Sequence, residues 1–182
     1  ENHFLAVVEA AAGGLLVVAL LDLSTGELLV SPTMSRERIH AELIRYQPKE
    51  IVVGPSAGEA LTWISRVFPE VPVRTETMDL RAPELTGELP EFGRLEPGSR
   101  SAALRALQFA RTCLPGGIPP IRLSILNPDR SMRIDETAQD HLEMVSSRGG
   151  RAATLLGAID RTLTAGGARL LRRRLLAPSI DR

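Results

Sequence analysis

At 182 residues, 43% hydrophobic and 24% charged, the chain has the size and balance of one soluble globular domain, or of a domain with part of a second. Aromatic residues make up only 3%, which counts against a single-strand nucleic-acid reader, whose bases stack on exposed rings. The net charge is zero but unevenly shared: residues 1–117 hold 11 basic and 15 acidic side chains and residues 118–182 hold 11 and 7, so a phosphate-binding surface fits only the second part. With one cysteine, Cys113, there is no internal disulfide; its place in an apolar helical pattern predicts a buried, reduced thiol and a cytoplasmic protein. The apolar stretch Val7–Val30 is broken by Glu9, Gly13-Gly14, Asp22 and Thr25-Gly26, well short of a membrane span. The chain enters a strand-like pattern directly after Glu1, with no methionine, and reads as an excised piece.

In chain order, Phe4–Ala10 and Leu15–Leu23 are β-rich runs joined by a glycine turn, and Thr25-Gly26 turns into a third short strand. The period then becomes helical through Ile39 and Leu43, with Ser35 or Thr33 as N-cap and Pro48 as stop. Glu50–Gly54 is a buried-type strand, Ala57–Phe68 a second helix and Val71–Thr75 a further strand, which together predict a mixed α/β sheet with flanking helices. Residues 82–100, rich in Pro, Gly and Glu, read as a loop, and Ser101–Leu114 as a helix. The Pro/Gly cluster at Pro115–Pro120 places a domain boundary between 117 and 118. Beyond a short extended stretch, Ile121–Leu126, the expectation is all helix: Glu136–Ser147, Ala153–Arg161 and Gly166–Ala177.

The motifs are informative mainly by what they lack. Lys49 is the only lysine and is preceded by Pro48, so no Gly-x-x-x-x-Gly-Lys phosphate loop exists; no Gly-x-Gly pair is present either. His3, His40 and His141 are isolated, without a second ligand at helical or hairpin spacing. Asp22 stands before the turn Ser24-Thr25-Gly26 with Glu27 just across it. A hairpin of this kind opens ribonuclease-H-like folds, where carboxylates gather two metal ions, and a metal-dependent nuclease would draw on Asp22, Glu9 and Asp79. The stronger reading is structural: Asp and Ser bond the turn backbone and Gly supplies positive φ. Phe68 in "FPE" closes a helix as a core residue rather than wedging into a base stack.

The densest pattern lies near the end, in "LLGAIDRTLTAGGARLLRRRLLAP", residues 155–178. Leu155, Leu156, Ile159 and Leu163 share one helical face; Leu170, Leu171 and Leu175 share another, with Arg169, Arg172 and Arg173 opposite. A basic amphipathic helix can meet DNA phosphates, but arginine stems also cover apolar surface and pair with acids on neighbouring helices, and the latter use is preferred here. Gly166-Gly167 opens a helix without a preceding strand or lysine, so close helix approach is its simpler use.

These residues also carry a resemblance. Leu142, Glu143, Thr154, Leu155, Leu156, Asp160, Thr162, Thr164, Gly167, Arg169, Leu170, Leu171, Leu175 and Pro178 match the segment that opens the core domain of the MutS family of bacterial mismatch-recognition proteins. "ENHFLAVV" and "LLDLSTGEL" resemble the start of the same family's connector domain, whose hairpin includes Asp22, Ser24, Thr25 and Gly26; the middle of the chain matches only in pattern and order. Arg174 stands where the family commonly has tryptophan. The resemblance implies a ribonuclease-H-like α/β connector domain (domain II) over 1–117 and the N-terminal part of the helical core or lever domain (domain III) over 118–182. It implies a non-catalytic role passing conformational change between mismatch-binding and ATPase domains. The implied partners are MutL at the connector surface, other MutS domains and a second MutS subunit. Mismatched DNA is met through the intact protein, and weakly or not at all by this piece. No cofactor is implied within these residues; ATP and Mg²⁺ belong to an ATPase domain outside them. The leucine faces of 150–182 expect neighbours that this chain does not supply.

Overall fold

The computed structural model describes residues 4–77, 80, 90–114, 116–132 and 134–180, so Asp79 and His3 lie outside the described residues. Contacts divide the chain into two compact units, Asn2–Leu126 and Asn127–Arg182.

The first unit is a six-stranded sheet. Its strands are β1 (Phe4–Ala10), β2 (Leu16–Asp22), β3 (Glu27–Val30), β4 (Glu50–Val53), β5 (Val73–Thr75) and β6 (Arg122–Ile125). They lie in the order β5-β4-β1-β2-β3-β6. Only β2 runs against its neighbours; β1/β4, β4/β5 and β3/β6 are parallel. β1 and β2 are buried on both faces, which is why they read as continuous Val/Leu/Ala runs instead of alternating ones. The pleat still sorts them. Phe4, Ala6, Val8, Val18 and Leu20 pack with α1 (Arg36–Tyr46) and α2 (Gly58–Val67) through Ile39, Leu43, Trp63 and Ile64. Leu5, Val7, Val17, Ala19 and Leu21 pack on the other side with α3 (Pro97–Cys113) through Ala102, Ala103, Ala106, Leu107 and Ala110.

Turn chemistry sets the connections. Gly13 and Gly14 take φ of 70° and 74° between β1 and β2, a conformation that a β-carbon disfavours. Ser35 stands at the N-cap of α1, and its hydroxyl, bonded to Glu37, lowers that carboxyl's pKa. The helix ends at Gln47, left-handed at φ 47°, just before Pro48.

Three expectations are corrected here. Of the loop read over 82–100, residues 82–89 lie outside the described residues; the rest holds a short 3-10 turn at Pro90–Arg94 and the start of α3, which begins at Pro97 rather than Ser101; proline is preorganised for a first helical position, and buried Phe92 and Leu95 anchor the approach. The structural division falls after Leu126 and not at 117/118, because β6 hydrogen-bonds to β3 and completes the sheet. Cys113, expected buried, is exposed at the last turn of α3.

Among the described residues the second unit holds three short α-helices: α4 (Glu136–His141), α5 (Leu155–Ile159) and α6 (Ala165–Leu176). Its two ends pair, with Met132 N–H donating to Pro178 O (2.8 Å), Ile180 N–H to Arg130 O (3.0 Å), and a bridge between Ser131 and Ser179. α4 stops six residues before the expected Ser147, and Glu143 turns left-handed at φ 46°. That turn lets Glu143 O and Met144 O accept from the N–H groups of Leu155 and Leu156 (3.0 and 2.9 Å). The single apolar face expected over Leu155–Leu163 is therefore cut at Ile159, and Leu163 lies outside any helix, fully exposed.

Candidate functional site

The carboxylates considered for metal chemistry are held apart by the sheet. Asp22 pairs with Phe4 and Glu9 with Val17, so they stand at opposite ends of the β1–β2 hairpin, about 17 Å apart along the strands. By the pleat alternation they also point to opposite faces. Among the described residues no three His, Cys, Asp or Glu side chains gather as a metal site.

Asp22 is occupied with its turn. Ser24 donates to Asp22 Oδ1 from both its N–H (2.9 Å) and its hydroxyl (2.6 Å), and the Gly26 N–H donates to Asp22 O (2.9 Å). Glu27 N–H donates to Thr25 Oγ1 (3.3 Å). Gly26 has φ 73°, and a β-carbon there would fall 2.2 Å from Pro120 O, so glycine is required twice over. The hairpin set Asp22, Ser24, Thr25 and Gly26 is thus one hydrogen-bonded turn.

Glu9 belongs to a different cluster. Its Oε1 accepts from Arg105 Nε at 2.5 Å, with both side chains almost fully buried, and Arg105 Nη1 donates to Glu76 O (2.9 Å). Gly54, just after β4, leaves room for the carboxylate: a β-carbon at Gly54 would lie 1.9 Å from Glu9 Oε2. The carboxyl ends of β1 and β5 are thereby joined to the middle of α3, beside Gly54 at the end of β4. Sequence reasoning missed Arg105 and Gly54; the available signal was a lone arginine among Leu104, Ala106 and Leu107. A second buried polar contact lies nearer the start of α3, where Ser99 Oγ donates to Ser31 O (2.8 Å) and Ser31 Oγ accepts from Val18 N–H (2.9 Å).

His40 packs its ring near those of Trp63 (centroids 6.4 Å) and Phe68 (5.6 Å), with the Arg36 guanidinium 4.7 Å over Trp63. Phe68 is half-buried against the core, as a helix-closing residue should be.

In the second unit the polar positions of the terminal motif are helix caps. Thr154 Oγ1 accepts from Gly157 N–H (2.9 Å) at the start of α5, and Thr164 Oγ1 from Gly167 N–H (3.0 Å) at the start of α6. Asp135 caps α4 in the same way, accepting from Ala138 N–H (2.8 Å). Between the two threonine caps, Asp160 Oδ1 accepts from the Thr162 N–H (3.0 Å) and hydroxyl (2.7 Å), and Oδ2 from Arg151 Nη2 (2.5 Å). The Thr162 amide, then its hydroxyl, and to a lesser extent Arg151 lower the Asp160 pKa.

The apolar motif positions divide. Leu156 is buried, Leu171 and Leu175 half-buried, and Leu142, Leu155 and Leu170 exposed. Pro178 receives the Met132 amide described above. On α6, Arg169, Arg172 and Arg173 are half-buried rather than a free solvated face, and burial lowers the Arg172 pKa; Arg174 and Leu170 are the exposed pair. Among the described residues no helix is long and apolar enough to cross a membrane.

Comparison with known proteins accounts for both units. The family model for MutS domain II matches residues 2–82, and that for MutS domain III matches residues 131–182. The DNA mismatch repair protein MutS of Sorangium cellulosum is 38% identical over 202 residues, covering 99% of this chain and 22% of its own length. That of Ruegeria sp. is 33% identical over 174 residues (89% and 20%), and that of Paracoccus denitrificans 33% over 176 (90% and 20%). The chain spans about a fifth of the length of the curated relatives it matches.

Proposed function

Because the chain belongs to the MutS family and carries sequence of its domains II and III, we propose that it serves DNA mismatch repair as a non-catalytic connector and core segment. In this reading the Asn2–Leu126 unit is a ribonuclease-H-like connector that passes conformational change between mismatch-binding and ATPase domains and presents a docking surface to MutL. The opening hairpin followed by alternating helices and parallel strands, with β2 alone reversed, supports that fold assignment. Residues 127–182 act as the start of the core, against other MutS domains and a second subunit. DNA and ATP with Mg²⁺ are engaged by the intact cytoplasmic protein rather than by these residues.

The observation that carries the role is the way the sheet is pinned. A relay element must move as one body, and here both sheet faces are covered while buried Arg105 ties Glu9 of β1 and the backbone after β5 to α3. Nothing favours the nuclease alternative, whose Asp22 and Glu9 the hairpin separates.

Competition in trans tests the docking role. Added in large molar excess, the 182-residue chain is expected to block MutL recruitment by a full-length MutS bound to mismatched DNA, without hydrolysing ATP itself. Undiminished MutL recruitment would overturn the docking part of the reading.

A further inference from the structure

Both faces of the six-stranded sheet are covered, by α1 and α2 on one side and α3 on the other, so what the sheet offers to a partner is an edge. β6 forms one edge, next to β3. In this parallel pair the Arg122 N–H donates to Gly26 O (2.9 Å) and the Leu126 N–H to Val30 O (2.8 Å). That phase turns Arg122, Ser124 and Leu126 toward β3 and leaves the N–H and C=O groups of Leu123 and Ile125 pointing outward. Edge strands ordinarily carry a block against further pairing. Along its outward row β6 carries none. No proline lies between Ile121 and Asn127, the register with β3 is unbroken, and the one charge, Arg122, stands on the other face of the pleat from Ile125. Ile125 is also 58% exposed, against 42% for Val67 and 39% for Leu15, the other exposed large apolar side chains described in the first unit. An open backbone row beside an exposed isoleucine fits one kind of occupant, an extended strand that supplies hydrogen bonds and an apolar side chain together.

We propose that the β6 edge is the docking surface of the first unit, taking an extended segment of the partner as a seventh strand. The segment bonds the main chain at Leu123 and Ile125 and lays an apolar side chain against Ile125, with alternate residues facing the unit. With four residues of edge on offer, the added strand is short. The proposal rests on the MutL-docking reading, whose surface it names.

Residue-resolved amide exchange on the full 182-residue chain, with and without MutL, tests it. In the free chain the Leu123 and Ile125 amides are expected to exchange fast and that of Ser124, turned toward β3, slowly; with MutL the two outward amides are expected to slow by about tenfold or more. In the competition assay above, Ile125→Glu and Ile125→Pro are each expected to weaken competition by about tenfold. The proline removes an outward N–H and spares the bonds to β3; Ile125→Glu and the exchange data decide the matter if the proline variant does not fold. Val67→Glu, on α2, is expected to compete like the unaltered chain. An unaltered chain that fails to compete overturns the docking reading and this proposal with it. Competition that the Ile125 variants retain, or outward amides that MutL leaves unprotected, overturns the edge alone. Protection that rises with chain concentration in the absence of MutL would give the edge to a second copy, and equally overturns the proposal.

Discussion

Gly54 and Glu9 share one space: the position of a β-carbon at Gly54 is occupied by the Glu9 carboxylate, which Arg105 holds from the far side. The glycine is thus needed for room, since its backbone is not in the left-handed region. Gly54→Ala is expected to destabilise the first unit by about 2–4 kcal/mol, because the carboxylate must leave its partner or β4 must shift. Urea denaturation measures it. Glu9→Ala removes the obstacle, so the double variant should fall well short of the sum of the two singles; strict additivity would mean that the two positions do not compete.

Removing one member of the ion pair leaves the other charged and buried. Arg105→Met is accordingly expected to cost about 3–5 kcal/mol, whereas replacing both partners with apolar residues should recover most of that loss. Equilibrium unfolding of the two singles and the double gives the coupling directly.

The first turn makes a smaller claim. Asp22→Ala removes the acceptor for two Ser24 donors and is expected to cost about 1–2 kcal/mol, with Asp22→Asn recovering part of it. A change in thermal midpoint that Asn does not rescue at all would show that the side chain has another task.

Much of this was legible in the sequence, and the reasons differ by element. β1, β2 and the Asp22–Gly26 turn follow from local chemistry, and so their positions matched. The start of α3 was misread because a Pro/Gly-rich stretch signals a loop, yet Pro97 sits where a helix tolerates proline best. The division after Leu126 depends on pairing between β6 and β3, a contact across almost a hundred residues that no local pattern announces. Asp160, Thr162, Thr164 and Gly167 were identified by likeness alone; only the geometry explains them, as a turn followed by a cap. Arg105 was overlooked because its partner lies 96 residues away.

The two threonine caps give a paired prediction. Thr154→Ala and Thr164→Ala each leave a helix amide without its acceptor and are expected to cost about 1 kcal/mol, with serine restoring most of it in each case. The buried Thr154 should be the more sensitive, since water cannot replace its bond as it can at exposed Thr164. Loss of helical ellipticity and thermal midpoint in the alanine variants checks both.

Asp160 supplies a pH dependence whose sign follows from its partners. The Thr162 amide and hydroxyl, and then Arg151, all favour the ionised carboxylate, so its pKa is lower in the folded chain than the ordinary 3.8. A depressed carboxyl contributes stability that is fully present above the unfolded value and is lost as pH falls through the folded one. The contribution is therefore intact at neutral pH and disappears only below about pH 4, as the turn between α5 and α6 loses its acceptor. Carboxyl-carbon NMR titration should place Asp160 below a typical aspartate, and Thr162→Val should move it upward by removing the hydroxyl while the amide keeps part of the shift. Arg151→Met should also move it upward, because the guanidinium bonded to Oδ2 favours the charged carboxylate. An Asp160 that titrates at its ordinary value in the native chain would mean that the Asp160–Thr162 turn is not held in solution.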